Sequence, residues 1–214
     1  MEREAFLGRV RAAATTGLPD APPADPGLLV PDLAPTDLIE RFRAGVEAVN
    51  GRVHDSADAV ATVVDVAAQV GPSMFLAWDD VGIPGVCSGL EAAGWRRLAA
   101  TVPTGGRVAH QKAYYPVVLG VTGAEAGFAE SGTIVLRSGP GRPRMASLIP
   151  DVHIALLPRS ALHRSLAHWA AENAASMADA SNVVFITGVS RTGDIEMRLN
   201  TGVHGPRALH IVLT

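Results

Sequence analysis

The stretch "VHIALLP", Val152–Pro158, decides the fold. Its apolar residues fill successive positions instead of alternate ones, and a proline ends the run. A strand that is apolar toward both faces is buried on both, as in the middle of a parallel sheet covered by helices. "VVLGV" (117–121) and "VVFITG" (183–188) read the same way, as two further central parallel strands. Around them, "RVHD" (52–55), "SMFLAW" (73–78), "WRRLA" (95–99), "GTIVLRS" (132–138) and "ALHIVL" (208–213) read as strands. Helices are predicted over 57–70, 89–93, 159–177 and 190–200. Strands alternating with helices predict an α/β domain with a three-layer, mostly parallel sheet.

Upstream of this pattern the chain changes character. Residues 2–15 carry Phe6, Leu7 and Val10 at helical spacing, which predicts an N-terminal helical arm over 1–16. "GLPDAPPADPGLLVPDLAP" (17–35) holds six prolines and no period, the composition of an extended linker. The α/β domain then runs over 36–214. Thr36 is placed as the N-cap of a helix bearing Leu38, Ile39, Phe42, Val46 and Val49, which Asn50-Gly51 ends in a left-handed turn.

Composition narrows the function. Of 214 residues, 48% are hydrophobic, enough for a sizeable core. The 18 Lys and Arg against 21 Asp and Glu, with no dense basic block, point away from nucleic acid and anionic membranes. Cys87 is the one cysteine, so an internal disulfide is excluded. With no Cys/His ligand spacing, no metal or iron–sulfur site is expected on this chain. Charges near the amino end and the lack of a long apolar run predict a cytoplasmic protein with no membrane span.

Chemistry is expected where strands end. "TGAEAGFAESGT" (122–133) brings Glu125 and Glu130 ahead of Gly132 and Thr133. Glu130 among small residues is read as a nucleophile, base or hydroxyl acceptor, or else as the cap of a turn or a partner for an Arg. "ITGVSRTGDIE" (186–196) offers Thr187, Gly188, Ser190, Arg191, Thr192 and Asp194. If Ser190 starts a helix, its free N–H groups and the Arg191 fork would cradle a small carboxylate or phosphate; the plainer reading is a capped helix. In "NTGVHGP" (200–206), His204 beside Gly205 is read as an acid/base group or ligand contact, or as a structural histidine. Arg137, Arg142 and Arg144 sit in a Gly/Pro stretch that is read as a lid over an acid or as a solvated loop.

Taken in order, "AESGTIVL" (129–136), "SLIPDVHIALLP" (147–158), "ITGVSRTGDIE" (186–196) and "GVHGPRALHIVL" (202–213) resemble the lactate-utilisation protein C family, the LUD-domain proteins. The resemblance covers Thr36 to the end and is strongest in the closing part. It implies a fold related to the ribose-phosphate isomerase, glucosamine-phosphate deaminase and CoA-transferase superfamily. It also implies an accessory or substrate-handling role beside iron–sulfur partner subunits that oxidise L-lactate to pyruvate, with the clusters on those partners. The family's usual "AETGT" has Ser131 here, which keeps the hydroxyl; its usual "GPS[RK]TAD" has Val189 and Gly193 here. The fold analogy leaves a second expectation open: a stand-alone sugar-phosphate isomerase-like or acyl-CoA transfer enzyme using Glu130.

Overall fold

The computed structural model describes residues 3–15, 35–98, 106–173, 180, 182–192 and 200–214. Helices α1 (Arg3–Thr15) and α2 (Pro35–Ala48) come first, followed by β1 (Arg52–Asp55), α3 (Ala59–Ala68), β2 (Met74–Ala77), α4 (Val86–Ala92) and β3 (Arg96–Leu98). Then come α5 (Gly106–Tyr114), β4 (Val117–Gly123), β5 (Ala126–Phe128), β6 (Thr133–Ser138), α6 (Met145–Leu148), β7 (Val152–Leu157) and β8 (Leu162–His163). The chain ends with α7 (Leu166–Asn173), β9 (Asn182–Ile186), β10 (Arg191–Thr192), β11 (Asn200–Thr201) and β12 (Ala208–Leu213). Residues 17–34 of the proline-rich stretch and the Asp194–Glu196 segment lie outside the described residues, while Pro35 already begins α2.

Six strands form one parallel sheet in the order β1-β12-β7-β4-β2-β3. As its composition demands, β7 is central: Ile154 pairs with His210 on one side and Val121 on the other. Ile154, Ala155, Leu156 and Leu157 are all buried, so both sheet faces are covered. On one face α6 presses so closely on β4 that a Cβ on Gly120 would stand 1.8 Å from the Ala146 carbonyl oxygen. α2 packs against β1, and its Phe42 ring lies beside Gly127 of β5. It ends as its sequence predicts, Asn50 taking a left-handed φ of 63° ahead of Gly51.

A second, four-stranded sheet in the order β8-β5-β6-β9 is built around the antiparallel β5–β6 hairpin. Three sequence readings are corrected in this region. "VVFITG" is not a central parallel strand: β9 pairs antiparallel with β6. It is apolar on both sides because it lies between two clusters, with Ile186 against the main core and Val183 against Ala126, Phe128, Val135 and Trp169. No helix starts at Ser190 either, since Arg191–Thr192 and Asn200–Thr201 pair as an antiparallel ladder. The helix expected from Arg159 begins later, after Ser165, whose Oγ accepts from His168 N–H at 3.3 Å as a cap.

Candidate functional site

In a parallel sheet the strand carboxyl ends open toward a common edge. There the residues after β2 (Trp78, Asp80–Ile83), after β4 (Ala124, Glu125) and after β7 (Pro158) surround a crevice of about 200 Å³. Thr214, past the end of β12, and Arg137 and Arg142 complete its wall.

Two arginines give the crevice its character. Arg137, on β6, grips Glu125 in a two-pronged ion pair: its Nε donates to Oε2 at 2.6 Å and its Nη2 to Oε1 at 2.5 Å. Both side chains are half-buried, where such a fork holds a carboxylate in one orientation. Arg142 is held differently. Its guanidinium carbon lies 5.7 Å from the centre of the Trp78 ring, a cation–π contact. Its guanidinium makes no hydrogen bond or ion pair among the described residues, and the side chain forms part of the crevice wall. Trp78 is itself fixed, buried to 4% exposure with its indole N–H donating to the Pro143 carbonyl at 3.2 Å. Asp80, the other acid in the wall, accepts from Gly82 N–H at 2.8 Å within its own loop.

Most residues singled out in the sequence sit elsewhere. The β5–β6 hairpin runs away from the crevice, and its turn carries Glu130, where Leu166 N–H donates to Glu130 Oε1 at 3.1 Å. Glu130 thus meets the first residue of α7, where its sequence reads as an acid/base group, the cap of a turn or the partner of an Arg. Gly132 and Thr133 follow: a Cβ on Gly132 would meet Val46 N at 2.2 Å, and Thr133 shares hydroxyl hydrogen bonds with Ser131 and Thr187 at 2.7 and 2.8 Å. Gly188 abuts Val49.

The Ser190 and His204 segments do converge, but at the amino ends of β7 and β12. Ser190 N–H donates to the Pro206 carbonyl at 2.9 Å, and Gly202 N–H donates to the Ser190 carbonyl at 2.8 Å. Gly205 packs beside Ser190, a Cβ there standing 3.2 Å from Ser190 Cβ. The helix-terminus cradle is thus replaced by a ladder that uses these groups itself. Arg191 and His204 are exposed there; the side chain of Thr192, and Asp194 as a whole, lie outside the described residues. Glu130, Arg191 and His204 therefore do not share a pocket at the strand carboxyl ends. Of the three suspected lid arginines, Arg137 is locked in β6 and Arg144 sits at the start of α6, leaving Arg142 at the mouth.

Two histidines without visible partners in sequence have them in space. His153 is fully buried, its Nε2 hydrogen-bonded to Thr122 Oγ1 at 2.9 Å, and burial pushes its pKa down to about 4. His54 Nε2 and His210 Nδ1 meet at 2.9 Å across β1 and β12. Burial, then the neighbouring His54, lowers His210 to about 4. The near-coplanar rings, 5.2 Å apart with planes 16° from parallel, aim their nitrogens at each other, which suits a shared proton and leaves no room for a metal ion between them. Among the described residues no group of three or more His, Cys, Asp or Glu is placed to hold a metal. None of the described helices is long and apolar enough to cross a membrane.

Comparisons with known proteins place the chain in a family. A "Lactate utilization protein C" of an Exiguobacterium species is 44% identical over 99 residues, which is 44% of this chain and 43% of that protein. The protein of the same description from Halalkalibacterium halodurans is 43% identical over 100 residues and is likewise covered to 44% of its length. These matches span less than half of each relative. A crystal structure of a DUF162 family protein from Deinococcus radiodurans superposes with a TM-score of 0.63 at 21% identity, covering 85% of this chain and 99% of that one, which shows the shared fold. Residues 39–214 match the LUD domain family across all of the described sheet, and the chain belongs to that family.

Proposed function

We propose that the protein is a substrate-handling component of lactate utilisation that binds a short 2-hydroxy or 2-oxo acid in the carboxyl-end crevice. The observation that carries this reading is Arg142, whose guanidinium lies over the Trp78 ring, unpaired among the described residues, in the wall of a small cavity. A planar fork of that kind suits a carboxylate. Glu125, held in place by Arg137, offers an acceptor for a neighbouring hydroxyl. A cavity of about 200 Å³ suits an acid of a few carbons better than a nucleotide. The names of the curated relatives supply the same acid.

Oxidising lactate to pyruvate removes two electrons and two protons, and the electrons need a carrier. A cluster bound by four thiolates does not fit this chain, whose one cysteine is Cys87. The reading therefore assigns electron transfer to iron–sulfur partner proteins and leaves binding and orientation of the acid to this one. Thermal-shift measurements against L-lactate, pyruvate, propionate, a sugar phosphate and an acyl-CoA test it. Stabilisation by lactate or pyruvate supports the reading. Stabilisation by the sugar phosphate or the CoA ester alone replaces it with the stand-alone enzyme.

A further inference from the structure

We propose that Arg97, which lies outside the crevice wall, is a positioning residue that sets the Arg142 guanidinium. This rests on the crevice reading above.

Arg142 closes a tight reversal: Arg142 N–H donates to the Gly139 carbonyl at 3.0 Å, and Gly139 N–H returns a bond to the Arg142 carbonyl at 3.3 Å. A turn of this size at the surface is loose unless it is tied to the body. Its ties go to one dipeptide. Asp79 N–H donates to the Gly141 carbonyl at 2.8 Å, and the Trp78 indole N–H donates to the Pro143 carbonyl at 3.2 Å. The Trp78 face carries the guanidinium itself.

Arg97, on the edge strand β3, holds that same dipeptide from the other side. Its Nη2 donates to the Trp78 carbonyl at 3.0 Å and to Asp79 Oδ1 at 3.2 Å. With Oδ1 taken, the other carboxylate oxygen lies over Gly141, where a Cβ would come within 2.8 Å of Asp79 Oδ2. Gly141 adopts a φ of +70°, so glycine satisfies both the turn and the contact. Arg97 fixes the Trp78–Asp79 dipeptide, the dipeptide fixes the turn and the indole face, and these two place the fork of Arg142. A single strand-edge guanidinium thereby controls the geometry of another that it does not touch.

The test is a double-mutant cycle in the full chain, with L-lactate affinity measured by titration calorimetry and the indole N–H resonances followed by NMR. Arg97→Met is expected to weaken lactate binding about tenfold, the cost of a charged hydrogen bond made at the wrong angle. Arg97→Lys, which can still donate to the Trp78 carbonyl, is expected to recover part of the loss. In an Arg142→Met background, Arg97→Met is expected to change the affinity no further. The Trp78 indole resonance should shift in Arg97→Met while the melting temperature stays within a few degrees. An unmoved Trp78 resonance overturns the proposal, as does an equal loss in both backgrounds. If Arg142→Met alone leaves lactate affinity unchanged, the crevice reading fails instead; the indole resonance then still decides whether Arg97 governs the turn.

Discussion

Glu125 and Glu130 stand at opposite ends of the β5–β6 hairpin, the first clasped by Arg137 beside the crevice and the second capping α7 through Leu166 N–H. Two carboxylates that look interchangeable in sequence thus have different work. Removing the cap by Glu130→Ala should lower stability by about 1 kcal/mol and leave binding of a short acid unchanged. Urea denaturation and calorimetry on the same variant check both halves, and a loss of binding with intact stability would return Glu130 to the site.

Close backbone approaches hold the two sheets and their helices in register. Gly120→Ala should be the most damaging added methyl among the described glycines, because the new carbon would stand 1.8 Å from the Ala146 carbonyl oxygen. Gly132→Ala adds a Cβ at a φ of +66° and 2.2 Å from Val46 N. Each is expected to cost more than about 2 kcal/mol, since packed backbone cannot yield as a flexible side chain does. Gly139→Ala, with nothing within 4 Å of the added carbon, is the control and should be near neutral.

Acid should destabilise the fold through His153. Its folded pKa of about 4 lies below the ordinary histidine value of 6.5, so the unfolded chain binds the proton more readily. The neutral form's stability is complete above about pH 6.5 and is lost as the pH falls toward 4, by roughly 3 kcal/mol at most. His210 shifts in the same direction and should add to the slope. Denaturation midpoints from pH 7 to 4 should therefore fall, and His153→Asn should flatten part of the decline.

Much of the sheet was legible in the sequence because burial on both faces leaves a direct mark: "VHIALLP" and "VVLGV" became β7 and β4, adjacent at its centre. The same mark misled at "VVFITG", where β9 is apolar on both sides from lying between two clusters and not from lying between helices. The Ser190 helix failed for a related reason. Ser190 and Arg191 have good cap chemistry, but the returning segment Asn200–Pro206 supplies ladder partners for the same backbone groups. The crevice wall was half legible. The arginine-rich stretch contained Arg137 and Arg142, whereas Trp78, whose ring lies under the Arg142 guanidinium, is far away in sequence and carries no motif.

The central claim is that the unpaired Arg142 fork binds the acid's carboxylate, and L-lactate titration of the parent protein and of Arg142→Met tests it most directly. The account predicts measurable binding to the parent and a loss of about tenfold or more in the variant, the worth of a charged hydrogen bond. Equal affinity in the two proteins, with the fold intact in both, would contradict it.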